Sequence, residues 1–228
     1  MGEIIMKYIA SVSFGKDSTA MLLCIIENKL PLDAVVFYDT GMEFDIIYLY
    51  RDFWKHYLNE IGVEFVELKP STPFIDKMIN YPHKTRKGTI KNGYGWCGGM
   101  CRWGTTEKLR SIDKYCKDSH QYVGIAYDEP ERYARLSKNK SAPLYDYKMT
   151  EKDCLDMCYR FGFTYSKLYE YLDRVSCWCC RNKNLKELKN YKEHFPNYYR
   201  KLVELEKAIG EPMKKPKTLI ERFGDIND

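Results

Sequence analysis

Lys7-Tyr8-Ile9-Ala10-Ser11-Val12 runs into Ser13-Phe14-Gly15-Lys16-Asp17-Ser18 and then into Thr19 to Asn28, and the reading of this stretch decides the fold. The first six residues form a β-rich apolar segment, the next six contain a glycine turn, and the rest has the composition of a helix. That helix is apolar nearly all round (Ala20, Met21, Leu22, Leu23, Ile25, Ile26), which predicts that it is buried. A helix N-terminus carries unpaired N–H groups and the positive end of a dipole, so it attracts phosphate. Gly15 lets a ligand approach the backbone closely, Lys16 supplies a point charge, and Ser13 and Ser18 supply hydroxyl donors. A Walker loop is excluded, because it needs Gly where Ala10 stands and Ser or Thr where Asp17 stands. A glycine turn capped by Asp17 or Ser18 is the plain alternative.

Working outward, Ala34 to Tyr38 is a continuous apolar run, as in a strand covered on both faces. Ile46, Leu49, Tyr50, Phe53, Tyr57 and Ile61 recur at three- and four-residue spacing and predict an amphipathic helix. Glu64 to Leu68 alternates as a strand does. Strand, helix, strand, helix, strand in this order predicts a parallel sheet with crossover helices. Thr72-Pro73 reads as an N-cap followed by proline at the first helical position. From His83 to Gly93 there are four cations, no acid and two glycines, which predicts a mobile basic loop. Gln121 to Ala126 reads as another strand. Thr150-Glu151-Lys152-Asp153 opens a helix as a capping-box variant that Gly162 should stop, and Asn197 to Ile209 is a further helix ended by Gly210. The expected fold class is α/β, an open, mainly parallel sheet with helices on both faces and a C-terminal helical extension. We expect a single domain over 1–228, with a nucleotide-binding core at about 1–150 and a cysteine motif with helices at about 151–228.

An apolar fraction of 44% and a charged fraction of 30% exclude disordered and collagenous classes. Ala20 to Ile26, the longest apolar run, is too short to cross a bilayer. The start lacks the order of a secretory signal, and Met6 breaks the myristoylation pattern that Gly2 would begin. No membrane partner and a cytoplasmic location are therefore expected. The net charge of +5 favours an anionic ligand.

Nine cysteines are many for such a chain. The number is odd and the expected compartment is reducing, so metal or redox chemistry is a better explanation than disulfides. Cys97 and Cys101 lie in Cys-Gly-Gly-Met-Cys, and Cys177-Trp178-Cys179-Cys180 follows far downstream. Two local pairs separated by a long span are how four-thiolate sites are built. A 4Fe–4S cluster on Cys97, Cys101, Cys177 and Cys180, a structural zinc, and free thiols all stay open, with Cys179 an alternative ligand. Cys24, Cys116, Cys154 and Cys158 read as small buried hydrophobes. His56, His83, His120 and His194 show no ligand spacing.

Ser13-Phe14-Gly15-Lys16-Asp17-Ser18 resembles the pyrophosphate loop of the adenine-nucleotide α-hydrolase-like superfamily, which includes ATP pyrophosphatases, tRNA thiolases and phosphoadenylyl-sulfate reductases. Asp39-Thr40-Gly41-Met42-Glu43-Phe44 is similar to the D-T-G-x-x-F segment of the reductase branch. Gly124-Ile125 with Asp128-Glu129-Pro130-Glu131-Arg132 is similar to its G-I-R-x-x-E-x-x-R stretch. The likeness covers roughly residues 7 to 181. It implies that Ser13 to Ser18, Asp39, Thr40 and Gly41 bind ATP or another adenine nucleotide, with Lys16, Asp17 and Arg132 catalytic and Mg2+ on Asp17. The cysteine pattern is similar to that of iron–sulfur adenylyl-sulfate reductases, although three residues separate Cys97 from Cys101 where those enzymes have adjacent cysteines.

Two features depart from the reductases. No cysteine follows Cys180, so the C-G-x-H nucleophile is absent, and Ala126 stands where the branch has arginine. The resemblance then implies the superfamily's other activity, cleavage of ATP to AMP and pyrophosphate to activate an acceptor for sulfur transfer. A cysteine desulfurase or another sulfur donor would be a partner. A nucleic-acid acceptor could meet Lys84 to Lys91 and the stretch Arg181, Lys183, Lys186 and Lys189, unless both are solvated faces. Sulfonucleotide reduction and a non-catalytic nucleotide-binding partner are the alternatives.

Overall fold

In the computed structural model β1 occupies Lys7–Val12. Residues 6–226 are described; the readings made on residues 1–5, Gly2 among them, lie outside them, as do Asn227 and Asp228. The chain groups into two compact units whose segments interleave. The first comprises the chain up to Asp39 together with Phe44–Lys69 and Leu109–Ser166, and the second comprises Thr40–Glu43, Pro70–Lys108 and the chain from Lys167 onward. The middle segment Pro70–Lys108 thus groups with the C-terminal residues rather than with the sheet.

In the first unit β1 is followed by α1 (Lys16–Glu27), β2 (Ala34–Tyr38), α2 (Asp45–Glu60) and β3 (Glu64–Leu68). The spatial order of its five-stranded sheet is β3-β2-β1-β6-β7, with β6 at Ser119–Val123 and β7 at Lys140–Ser141, and every pairing is parallel. Helices flank the sheet as expected. All five residues of β2 are buried, as its apolar run predicts. Ala20, Met21, Leu22 and Ile25 of α1 are fully enclosed, each larger side chain contributing about 1.5–3 kcal/mol of burial. Strand β6 stops before the expected Ala126, because the chain turns at Gly124 and Ile125 bonds back to Val123.

In the second unit α3 (Phe74–Ile79) begins one residue later than expected, with Pro73 itself at the N-cap in an extended conformation. The expected loop over 83–93 is corrected to an antiparallel hairpin of β4 (Pro82–Lys84) and β5 (Ile90–Asn92). Thr85 and Thr89 close its turn, and Gly88 supplies the left-handed residue at φ 86° that the three-residue connection needs. The first unit also holds α4 (Lys108–Tyr115, from Leu109 onward), α5 (Pro130–Tyr133), α6 (Pro143–Asp146) and α7 (Glu151–Arg160). Thr150 and Asp153 form the expected capping box of α7. The second unit adds α8 (Leu168–Tyr171), α9 (Leu185–His194), α10 (Pro196–Ile209) and α11 (Leu219–Phe223). Gly210 ends α10 as expected, at φ 75°. No described helix is long and apolar enough to cross a membrane.

Gly93 is the tightest backbone position. Its φ is 69°, its N–H donates to Tyr81, and a Cβ there would stand 2.4 Å from the Met78 carbonyl oxygen. Gly93→Ala should therefore destabilise the second unit by about 3 kcal/mol, through steric overlap and an unfavourable φ. Urea unfolding measures this, and an unchanged midpoint would refute the assignment.

Candidate functional site

The loop after β1 is held from below. Phe14 has φ 56°, and its buried ring packs against Phe37 and Phe65 at 5.1 and 6.2 Å. Phe14 therefore contributes backbone to the loop while its side chain belongs to the core. Gly15 is the N-cap of α1 and has no side chain to cover the first turn. The Ser18 hydroxyl accepts from the Ser13 N–H and donates to the Gly15 carbonyl, each at 3.2 Å. Ser18 is thus used to brace the turn, and the Ser13 hydroxyl lies 3.4 Å from it.

Lys16 is buried, and its Nζ donates to Asp17 Oδ1 at 2.7 Å and to Glu151 Oε2 at 2.8 Å. Burial opposes its charge, but the two carboxylate partners outweigh burial and the net shift is upward. Burial pushes the Asp17 carboxyl up, Lys16 pulls it back, and Glu151 and Glu129 add to the rise. Glu151 was legible only as part of a capping box; no local pattern pairs it with Lys16, 135 positions away.

The loop lies at the carboxyl end of β1, where the strand order reverses: β2 and β3 extend to one side, β6 and β7 to the other. In open parallel sheets ligands bind at this switch point. Gly124, just after β6, faces the same turn, and a Cβ on it would lie 3.2 Å from Asp17 C and O and Ser18 N. Asp39, at the end of β2, accepts from the Tyr48 hydroxyl at 2.9 Å and lies 3.8 Å from Lys69 Nζ. Arg132 is exposed on α5 and pairs with Glu129, its Nη1 lying 2.6 Å from Oε2.

The other expected residues belong to the second unit. Thr40 donates to Glu43 Oε1 at 2.9 Å and lies 3.7 Å from Cys177 Sγ, while Gly41 takes φ 74°. The Trp178 N–H bonds to the Met42 carbonyl, which fixes the Cys177–Cys180 turn against this segment. Cys101 caps a π-helical turn over Arg102–Glu107, its Sγ accepting from the Gly104 N–H at 3.3 Å. Cys97 accepts from the Cys101 thiol and from the Arg102 N–H at 3.4 Å, which outweigh burial and lower its pKa to about 6. Packing around Cys177 pushes its thiol up, and Glu43 adds to the effect. A Cβ added to Gly104 would lie 3.6 Å from Cys101 Sγ, 3.7 Å from the Phe74 ring and 3.9 Å from Cys177 Sγ.

Asn182, which no sequence pattern singled out, ties the two cysteine segments together. Its side chain accepts from the Gly99 N–H and donates to the Gly99 carbonyl, each at 2.8 Å. The structure thus gathers the four expected cysteines in one region, with Cys179 buried among them. Among the described residues, no group of three or more His, Cys, Asp or Glu is placed to hold a metal ion. Cys24, Cys116, Cys154 and Cys158 are buried as expected. The basic stretch at 181–189 is corrected: Arg181 donates to the Met213 carbonyl, and buried Lys183 donates to the Arg174 carbonyl, so only Lys186 and Lys189 face solvent.

A parallel sheet carrying such a loop at its reversal point defines a nucleotide-binding α/β protein. The family model described as the phosphoadenosine phosphosulfate reductase domain matches residues 7–183, and the chain belongs to that family, one of nucleotide-binding enzymes related to sulfur metabolism. It is similar to two uncharacterized proteins of Methanocaldococcus jannaschii. The first is 27% identical over 88% of this chain and 47% of its own length, and the second is 26% identical over 83% and 39%. The chain therefore spans less than half the length of these relatives.

Because a Cβ at 124 would press on loop backbone rather than on a flexible side chain, Gly124→Ala should shift the turn and cost about 1–3 kcal/mol. Thermal unfolding tests this, and an unaltered melting temperature would show that the loop yields freely.

Proposed function

We propose that this chain is an adenine-nucleotide enzyme of sulfur transfer, splitting ATP to AMP and pyrophosphate to activate an acceptor. The observation that carries the reading is Lys16: a buried cation at an N-terminus without a capping side chain, at the sheet's reversal point, bracketed by Asp17 and Glu151. An acceptor oxygen would attack the α phosphorus, the bridging bond to the β phosphate would break, and pyrophosphate would leave with the electron pair. A sulfur nucleophile from a donor would then attack the carbon bearing the adenylated oxygen, and AMP would leave with the carbon–oxygen pair. Lys16 and the first-turn N–H groups would stabilise the charge growing on the leaving group. To do so, Lys16 exchanges a carboxylate for phosphate. Magnesium on Asp17 would neutralise phosphate charge.

Cys97, Cys101, Cys177 and Cys180 would hold a 4Fe–4S cluster, with zinc the alternative for the same soft donors. The Cys101 thiol and the Arg102 N–H, both aimed at Cys97, support a thiolate there, while the same contact with Cys97 holds the Cys101 thiol up. Bound, the cluster would supply redox chemistry and a tie between the two cysteine segments.

Two observations weigh against sulfonucleotide reduction. Ala126 replaces the arginine of that branch, and burial raises the thiols of Cys24 and Cys158 to about 11 and also raises Cys116 and Cys154, which makes them inert.

Lys16→Ala should weaken ATP binding by about 1.5–3 kcal/mol, through loss of a charge-assisted contact. Unchanged affinity for every adenine nucleotide in calorimetry would overturn the assignment. Cys177→Ser or Cys180→Ser should abolish iron loading and lower stability, since metal binding energy is often folding energy. Stoichiometric zinc with no iron in anaerobically purified protein would replace the cluster with the structural site. With ATP and magnesium, pyrophosphate should be released when an acceptor is present. Sulfite release from either sulfonucleotide would establish the reductase reading instead.

A further inference from the structure

From Lys77 through Thr106 the chain contains no Asp or Glu. Lys77 is spent on Glu107, but Lys84, Arg86, Lys87 and Lys91 all stand exposed on the β4–β5 hairpin. Among the described residues the side chains of Lys84, Arg86 and Lys87 make no hydrogen bond or ion pair. Lys91 makes one long pair, 3.8 Å to Glu211. Arg86 and Lys87 sit at the tip, in the turn closed by Thr85 and Thr89. A charge set of one sign, carried on one two-stranded element, invites a polyanion.

The rings beside it narrow the kind of polyanion. Tyr81 stacks on Tyr94 at 6.0 Å and 20°, and His83 stacks on Tyr94 at 4.1 Å and 18°. Arg102 lies 5.9 Å from the centre of the Tyr94 ring. Tyr81 and Tyr94 nevertheless stay 42% and 40% exposed, so part of the stack faces solvent. The Nδ1 atom of His83 is buried without a hydrogen-bond partner among the described residues. Exposed Ile90 and Met100 add apolar surface on the hairpin and on the cysteine segment that follows it. Phosphates need only cations, but aromatic faces next to cations match unpaired bases, which stack on rings of any sequence. A duplex keeps its base faces covered, and an acidic polypeptide has none.

We propose that the β4–β5 hairpin and its ring stack bind single-stranded nucleic acid, with Lys84, Arg86, Lys87 and Lys91 on phosphates and Tyr81 under a base. That this strand is also the acceptor in sulfur transfer rests on the function proposed above; the binding itself does not.

Fluorescence anisotropy of the purified chain with a labelled single-stranded oligonucleotide, titrated at several salt concentrations, tests the surface. The single strand should bind tighter than a duplex of equal length and tighter than polyglutamate competes. Arg86→Ala with Lys87→Ala should reduce the slope of log affinity against log salt by about 1.4, from about 0.7 per lost phosphate contact. Tyr81→Ala should weaken binding by about five- to 150-fold while leaving that slope unchanged. Circular dichroism and ATP binding of the variants, whose substituted residues are exposed, report that the fold is kept. Equal binding of single strand and duplex, displacement by polyglutamate at equal charge, or variants that bind as the parent does would each overturn the proposal. Lys16→Ala separates the two readings. If it abolishes ATP binding but keeps the strand, both stand. If ATP binding is unaffected, the nucleotide reading fails while the hairpin result holds.

Discussion

Phe14 sits in the left-handed region, where a residue with a Cβ pays roughly 1–2 kcal/mol. Its ring is buried against Phe37 and Phe65, and burial of such a ring contributes about 1.5–3 kcal/mol. The two terms nearly balance, with burial ahead, so the unusual turn persists because the core holds it. The turn in turn sets Gly15 at the N-cap of α1 and Lys16 at its first position, just past the end of β1. The Ser13–Ser18–Gly15 hydrogen bonds brace the same geometry from within the loop. A loop anchored by a ring in the core keeps its N–H groups arrayed before any ligand arrives, and preorganisation of this kind is what makes electrostatic stabilisation effective.

The charges on the loop are arranged around one lysine. Lys16 alone would be an unpaired buried cation, which burial penalises strongly. Asp17 and Glu151 offset that penalty, and they differ in exposure: the Asp17 side chain is 29% exposed and that of Glu151 is 49% exposed. The more exposed partner is the easier one to displace. In the second unit an analogous economy holds the cysteine segments, where neutral backbone groups carry most of the contacts. Asn182 meets Gly99 through both of its side-chain groups, and the Arg102 and Gly104 N–H groups meet sulfur.

Much of this was legible along the chain because it is local. The apolar run of β2, the all-round apolar α1, the Thr150 capping box and the Gly210 stop depend on residues within a few positions of one another, and each takes the expected form. The hairpin at 82–92 escaped because its strands are three residues long and polar, with too few positions to show an alternation. The helix α9 was missed although Asn184 and Glu187 form a capping box, a signal that was present but stands amid charged residues. The basic face at 181–189 failed for a different reason: sequence shows that Lys183 is charged but not that it is buried beneath α9, where desolvation draws its pKa down.

The amino-acid sequence by itself determined the class of fold and the position of the glycine turn between β1 and α1, since hydrophobic period and turn chemistry are short-range properties of the chain. It also nominated the four cysteines, by type and spacing. Only the tertiary structure decided which distant groups complete them: Glu151 on Lys16, Gly124 against Asp17, Asn182 across the cysteine segments and Glu43 beside Cys177. Each of these contacts joins residues brought together by chain packing, and no spacing rule along the sequence encodes such a meeting.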